Sequence, residues 1–213
     1  MCGRYTLRAT AEELQEIFDF IRDEDWKSRY NIAPSQKNPV IRNLGGQRHA
    51  TPIRWGLIPP WAKDLKVGFK MINARSEEIA RSYKAPLKKR RCLVLTDGWY
   101  EWKEKQPYHF RFPNNEPFVF AGVWERWTNP EDKSIVESYS IFTTSSVGVA
   151  SEYHDRMPVI VPADAYDAWL DPEIDGNDLA ESLLKPWDGS LQVVAANPIV
   201  GNVKNETPEC LPE

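Results

Sequence analysis

The chain has 213 residues, with 27 Lys or Arg against 31 Asp or Glu and a net charge of −4. This length suits one large domain or two small ones and is enough for a hydrophobic core without disulfides or a structural metal. No apolar run reaches about 18 residues, and the charged N-terminal region lacks a signal peptide's apolar segment, so neither a membrane span nor secretion is expected. Three Cys and three His occur without CxxC or zinc spacing, which predicts reduced thiols, no metal and no cofactor.

The charge is divided unevenly along the chain. Residues 1–91 contain 19 Lys or Arg and 10 Asp or Glu, whereas residues 92–213 contain 8 and 21. A basic first part in an acidic protein is a candidate surface for a polyanion such as nucleic acid. The densest basic cluster is Lys84, Lys88, Lys89, Arg90 and Arg91, which fits a solvated helix end equally well.

The predicted elements are short. Thr10 and Glu13 form a capping box before a helix whose apolar residues continue at helical spacing as far as Ile21. Residues 23–34 are polar and predict a loop, and Gly45-Gly46 predicts a hairpin turn. Strands are predicted at residues 3–7, 39–44, 49–55, 92–96, 99–103, 108–112, 117–124, 135–144, 158–161 and 191–196, and further helices at 77–83, 163–170 and 177–184.

The order of these elements indicates the fold class. Many short strands with a few scattered helices predict an α+β fold, and the absence of alternating βα units argues against a Rossmann fold or a TIM barrel. The strands at 108–112 and 117–124 are expected to pair with each other across Asn114-Asn115. No linker or repeat divides the chain, so residues 1–213 are expected to form one domain.

Cys2 is the first candidate for chemistry. Removal of Met1 would leave a chain that begins with an amine and a thiol on the same residue. An α-amine has a pKa of about 8, well below the value of about 10.4 for lysine, so part of it is a free nucleophile near neutral pH. The amine can form a Schiff base with an aldehyde, and the thiol can then close a thiazolidine ring. The structural alternative is an irregular terminus without a role.

Three further segments contain polar residues suited to a site, and each has a structural alternative. Asn73 can hold an amine, or its segment can simply begin a helix. Glu101 lies between two aromatic residues, where its charged form is disfavoured and it can act as an acid, unless it is an exposed strand carboxylate. His154 lies in a polar loop before a strand and can transfer protons near pH 7, or it can be a loop histidine bonded to Asp155.

Taken together, these segments resemble the SRAP (SOS-response-associated peptidase) family over nearly the whole chain. No single motif is a strong indication of the family, but the presence of seven motifs in the family's order is specific to it. The segments are MCGR at 1–4, RYNIAP at 29–34, WG to PW at 55–61, INAR at 72–75, DGWYEW at 97–102, HDRMP at 154–158 and VGNVKN at 200–205.

The resemblance implies a function and a site. Members of the family cross-link to abasic sites in single-stranded DNA, which are aldehydes in their ring-opened form. The implied catalytic residues are Cys2 as nucleophile, Asn73 to orient the amine, Glu101 to move protons and His154 to assist opening of the sugar ring. The implied DNA-binding residues are Arg4, Asn31, Pro34, Trp61, Arg75, Arg81, Trp102 and Thr143, and the role of the basic cluster at 84–91 stays open.

The resemblance also implies a single compact α+β domain of twisted, mainly antiparallel sheets around a barrel-like core, with short flanking helices. The expected partner is single-stranded DNA with abasic sites, bound by a monomer. The expected location is the cytoplasm if the protein is bacterial and the nucleus if it is eukaryotic.

Other functions remain open at this level. The chain can be a thiol peptidase that uses Cys2 with His154 on peptides or on its own Met1, an N-terminal-nucleophile amidotransferase, or a DNA-binding module without catalysis. An acetylated or extended N-terminus separates these functions, because it blocks thiazolidine chemistry and leaves simple DNA binding intact.

Overall fold

The computed structural model describes residues 2–79 and 83–212, and strands account for most of its regular structure. The strands of the described residues are β1 (Tyr5–Leu7), β2 (Ile21–Arg22), β3 (Arg29–Ile32), β4 (Lys37–Leu44), β5 (Gln47–Trp55), β6 (Asn73–Arg75), β7 (Arg91–Thr96), β8 (Gly98–Lys103), β9 (Gln106–Arg111), β10 (Phe118–Thr128), β11 (Ile135–Ser145), β12 (Arg156–Pro158) and β13 (Gln192–Ala195). The helices are α1 (Ala11–Phe18), α2 (Lys84–Lys89), α3 (Tyr166–Leu170) and α4 (Gly176–Leu183), with short 3₁₀ helices at Leu65–Lys70, Ser76–Glu78, Gly148–Glu152, Ala163–Ala165, Pro198–Gly201 and Pro208–Cys210.

The larger sheet closes on itself to form a five-stranded barrel. Its strand order is β12-β11-β10-β7-β4-β5-β2, and a parallel pairing between β11 and β5 completes the ring β5-β4-β7-β10-β11. The hairpin between β4 and β5 turns at Gly45 and Gly46, whose φ values of 65° and 88° favour glycine. The predicted α+β class, mainly antiparallel sheets and barrel-like core are therefore confirmed.

The smaller sheet packs against the barrel and carries the start of the chain. Its order is β13-β9-β8-β1-β3, so β1 lies between β8 and β3. Aromatic rings join the two sheets: Tyr5 of β1 packs edge-on against Trp55 of β5 at 5.1 Å, and Trp99 of β8 packs against Phe120 of β10 at 6.0 Å. The two sheets thus share one hydrophobic core.

Three local predictions are wrong. Helix α1 has its predicted capping box but ends at Phe18, because Asp19 adopts a left-handed φ of 48°; Ile21 then begins β2. Residues 29–32, expected in a loop, form β3. The strands at 106–111 and 118–128 do not pair with each other: β9 pairs with β8 and β13, while β10 pairs with β7 and β11.

The connection between β9 and β10 crosses from one sheet to the other. Phe112 stacks on Phe118 at 4.4 Å, which packs the ends of this connection together without a hydrogen-bonded hairpin. Of the helix predicted at 77–83, residues 80–82 lie outside the described residues, and Ser76–Glu78 is a 3₁₀ turn. No helix in the described part of the chain combines the length and apolarity needed to cross a membrane.

The basic cluster is partly structural. The Arg91 side chain is buried and donates hydrogen bonds to the carbonyl oxygens of Trp169, Leu87 and Ile174, among others. Arg90 forms an ion pair with Glu125 at 2.8 Å. These two cations therefore tie α2 and β10 to the rest of the fold, and only the lysines of the cluster are exposed.

Candidate functional site

Strand β11 brings together the segments that carry Asn73 and His154. It pairs in parallel with β6, with Ile141 opposite Asn73, and antiparallel with β12, which begins two residues after His154. The indole N–H of Trp55 donates to the carbonyl of Ile72 at 2.9 Å and fixes the chain just before Asn73. Both segments, which are far apart in sequence, therefore lie against β11.

Cys2 is completely buried and is held by Asn73. The side-chain amide Nδ2 of Asn73 donates to the carbonyl oxygen of Cys2 at 2.9 Å. Within residues 2–79 and 83–212, Asn73 Oδ1 is buried and has no hydrogen-bond donor. Burial raises the pKa of the Cys2 thiol well above its usual value, and the negative charge of Glu101 raises it further.

Glu101 is buried in β8, beside the start of the chain. The hydrogen bond from the Tyr100 amide to the Arg4 carbonyl at 3.0 Å continues the β1–β8 pairing and brings the first residues alongside Glu101. Burial raises the pKa of Glu101 from 4.5 to about 7, although the positive charge of the amino terminus acts in the opposite direction. Near neutral pH this carboxyl can therefore both donate and accept a proton.

His154 is held by its own loop. Its Nδ1 accepts a hydrogen bond from the backbone amide of Arg156 at 2.9 Å and lies 2.8 Å from Asp155 Oδ1. Burial lowers the pKa of His154, while Asp155 opposes this effect, so the ring is neutral near pH 7.

The side chain of Arg4 is held in place by hydrogen bonds to Asn31 and to the segment that contains Val200. Its Nη1 donates to Asn31 Oδ1 at 2.9 Å and to the carbonyl of Val200 at 2.8 Å. Asn31 is itself buried, and its Nδ2 donates to the carbonyls of Val200, Asn202 and Asn205. Because its side chain is used in this way, Asn31 supports Arg4 from inside the protein and does not face solvent.

Glu206 completes this C-terminal contact and was missed by the sequence analysis. It accepts hydrogen bonds from the amides of Tyr30 and Asn31 at 2.7 and 2.9 Å and from Arg29 at 2.7 Å. Burial alone would raise the pKa of Glu206, but the hydrogen bonds from Arg29 and the Tyr30 amide lower it. Glu206 lies just beyond the last sequence motif, and no local pattern distinguishes it from other acidic residues.

The other predicted DNA-binding residues differ in exposure. Trp61 is 73% exposed and Arg75 is exposed, whereas Pro34 and Trp102 are half-buried. Thr143 is completely buried, and its carbonyl accepts a hydrogen bond from Arg156 at 2.6 Å. Arg81 lies outside the described residues.

The family model described as SOS response associated peptidase (SRAP) matches residues 1–203. The chain belongs to the SRAP family. SRAP relatives named "Abasic site processing protein YoqW" from Bacillus subtilis and "Abasic site processing protein HMCES" from Rattus norvegicus are 37% and 32% identical to it. Each match covers 99% of this chain, with 99% of the first relative and 75% of the second.

Solved structures agree with the fold of this SRAP chain. A protein from Bacteroides thetaiotaomicron superposes with a TM-score of 0.87 at 24% identity, covering 98% of both chains. A protein from Bordetella bronchiseptica gives a TM-score of 0.79 at 25% identity, covering 92% of this chain and all of the other. The family model and the relatives, rather than these structures, confirm the predicted family.

Proposed function

We propose that this protein captures abasic sites in single-stranded DNA through the amine and thiol of Cys2, and so shields the lesion as part of the response to DNA damage. The observation that carries the proposal is the buried Cys2, held by Asn73 and placed beside a carboxyl whose pKa is about 7. The names of the relatives support abasic sites as the substrate. Such a substrate places the protein where DNA is, in the cytoplasm of a bacterium or the nucleus of a eukaryote.

The proposed reaction begins at the amine of Cys2 after Met1 has been removed. The amine nitrogen attacks the aldehyde carbon of the ring-opened sugar, and the resulting hydroxyl leaves as water to give an imine. The thiol then adds to the imine carbon, forming a C–S bond while its proton is transferred to the nitrogen. The product is a thiazolidine, and no oxidant or reductant takes part.

Each catalytic side chain has a proposed role that fits its surroundings. Asn73 Oδ1, which has no donor in the described residues, accepts from the amine and orients it. Glu101 protonates the departing hydroxyl and takes a proton from the amine, which a pKa of about 7 permits. His154, whose pKa is lowered by burial, assists opening of the sugar ring.

The state of the thiol supports this order of steps over the thiol-peptidase alternative. A cysteine protease attacks with a thiolate and therefore needs a lowered thiol pKa. Burial instead raises the pKa of Cys2, so the thiol is protonated near neutral pH. A protonated thiol suits a second step, in which it adds to an imine already formed.

The DNA strand is proposed to lie across the exposed face of this site. Arg75 and, outside the described residues, Arg81 would contact phosphates, and Arg4 would do so near Cys2. Trp61, which is largely exposed, would stack on a base near the lesion, with Pro34 and Trp102 beside the strand. Asn31 and Thr143 are buried, so their proposed contribution is to hold Arg4 and Arg156 in place.

A denaturing gel tests the proposal. Purified protein is incubated with a single-stranded oligonucleotide that carries one abasic site, and with the intact oligonucleotide as control. We expect a heat-stable shifted band with the abasic strand alone, and none with Cys2→Ala or with an N-terminally extended chain. Cys2→Ser keeps the amine, so we expect it to give a band only when borohydride reduces the imine.

Two results would contradict the proposal. A normal band from Cys2→Ala would show that the bond forms elsewhere, and no band from a wild-type protein shown by mass spectrometry to begin at Cys2 would exclude capture of the aldehyde.

The same mass measurement on Glu101→Gln tests self-processing. Retention of Met1 in that variant alone would indicate that the protein removes its own Met1.

A further inference from the structure

Arg156 and Glu77 join the two segments that carry the proposed catalytic residues. Arg156 begins β12, two residues after His154, and Glu77 lies in the 3₁₀ turn that follows β6. The two side chains form a bidentate ion pair, with Nη1 to Oε1 at 2.6 Å and Nη2 to Oε2 at 3.0 Å. The site therefore includes a planar charge pair that the reaction described above does not use.

The two partners are buried to different extents. The Arg156 side chain is 11% exposed, and its Nη2 also donates to the Thr143 carbonyl, whereas the Glu77 side chain is 52% exposed. Arg156 Nε is buried and has no acceptor among the described residues. The guanidinium of Arg156 is thus held by a hydrogen bond to β11 and by the ion pair with the more exposed carboxylate of Glu77.

The covered guanidinium lies beside the backbone partner of Arg75, the residue proposed above to contact a phosphate. Thr143, which accepts from Arg156, is the residue opposite Arg75 in the pairing of β11 with β6. The backbone amide of Arg156 also holds His154. Thr143 therefore accepts from the covered guanidinium of Arg156 and is the backbone partner of the exposed Arg75.

A carboxylate and a phosphodiester present the same pattern to arginine, because each offers two oxygens to the planar guanidinium fork. We propose that Glu77 is a specificity-determining residue that occupies the place of a DNA phosphate on Arg156 until a strand displaces it. This inference rests on the proposed function, since it places the strand at this face. The cost of displacement weakens binding of every strand, so an intact strand dissociates, whereas an abasic strand is retained by its covalent bond.

The test compares two neighbouring carboxylates. Glu77→Gln and Glu78→Gln change the net charge equally, but only Glu77 is paired with Arg156, and both residues are exposed. The dissociation constant for an undamaged single-stranded oligonucleotide is measured by fluorescence anisotropy over a range of salt concentrations. We expect Glu77→Gln to bind about fivefold more tightly than Glu78→Gln, as for loss of a competing ion pair.

Two additional variants make the comparison decisive. Glu77→Ala, which removes the hydrogen-bonding group as well as the charge, should show the same gain as Glu77→Gln. In an Arg156→Ala background the gain should disappear, because the cation for which carboxylate and phosphate compete is gone. A gain that persists without Arg156 would be a general charge effect and would overturn the inference.

Other outcomes are equally informative. Equal affinities of Glu77→Gln and Glu78→Gln would show that Glu77 does not compete with DNA, and weaker binding by Glu77→Gln would show that it positions Arg156 for the strand. Either result overturns the inference. The proposed function is assessed separately, because it depends on the band formed by the wild-type protein with an abasic strand.

Discussion

Replacing Glu101 with Gln should stabilise the fold at alkaline pH while slowing the proposed chemistry. The Glu101 side chain is 4% exposed, and burial raises its pKa from 4.5 to about 7. Because the folded-state pKa is the higher one, the fold favours the protonated carboxyl. The stability from that preference is complete below the unfolded pKa of 4.5 and is lost as pH rises through about 7.

The magnitude follows from the two pKa values. The interval from 4.5 to about 7, at about 1.36 kcal/mol per pKa unit, corresponds to about 3 kcal/mol as an upper limit. Gln has nearly the same shape and no charge to bury. Above about pH 8 the Glu101→Gln variant should therefore unfold with a free energy up to about 3 kcal/mol higher than the wild type, and near pH 4 the two should be alike.

Urea unfolding followed by tryptophan fluorescence, repeated across this pH range, measures the difference. Glu104→Gln is the matched control, since it removes an exposed carboxylate three residues further along the chain. We expect the control to follow the wild type at every pH. Parallel curves for the wild type and Glu101→Gln would refute the reasoning, because they would show that the carboxyl is not perturbed by burial.

The same variant also tests the proposed role of Glu101 in catalysis. A positioned proton donor contributes about 10²-fold or more to a rate, so Glu101→Gln should capture abasic strands at least about 10²-fold more slowly. The wild-type rate should lose this contribution as pH rises through about 7, whereas the variant should lack that dependence. Equal rates for the two proteins would leave Glu101 with a structural role alone.

Two further changes address the C-terminal contact and the exposed aromatic surface. Glu206→Gln should lower the free energy of unfolding by about 1–2 kcal/mol, because the amides of Tyr30 and Asn31 lose a charged acceptor. Denaturant unfolding measures this free energy. A loss of the same size in the control variant Glu209→Gln, which changes an exposed residue, would contradict the prediction. Trp61→Ala should weaken binding of single-stranded DNA by about 1–3 kcal/mol without changing stability, since its ring is largely exposed. Anisotropy titration tests this against Ile17→Ala, an exposed apolar residue of α1 for which no change is expected.

The sequence motifs predicted the family, which is confirmed, and the chemistry that is proposed here, because both depend on residue type and order. The aminothiol of Cys2 follows directly from its position after Met1, and alternation along β8 correctly separates Trp99, in the main core, from Tyr100, in the small C-terminal cluster. The alternation does not reveal how completely Glu101 is buried. That depends on β1 lying against β8, a long-range pairing that no local pattern encodes.

The wrong local predictions have the same physical origin. Strands β9 and β10 are adjacent in sequence and have the composition of a hairpin, yet they belong to different sheets, because the partners that satisfy their backbone hydrogen bonds lie elsewhere in the chain. Strand β3 looks like a loop because its residues are polar. It is a strand because β1 and Glu206, near the C-terminus, satisfy its amides.

The sequence by itself therefore determined the fold class, the family and the residues capable of chemistry, since these follow from composition, periodicity and motif order. Only the tertiary structure decided which of those residues meet. It placed Asn73 on Cys2, buried Asn31 and Thr143 behind the surface, and paired Arg156 with Glu77. Burial and pairing arise from contacts between distant segments, and these contacts set the charge and the accessibility of each group.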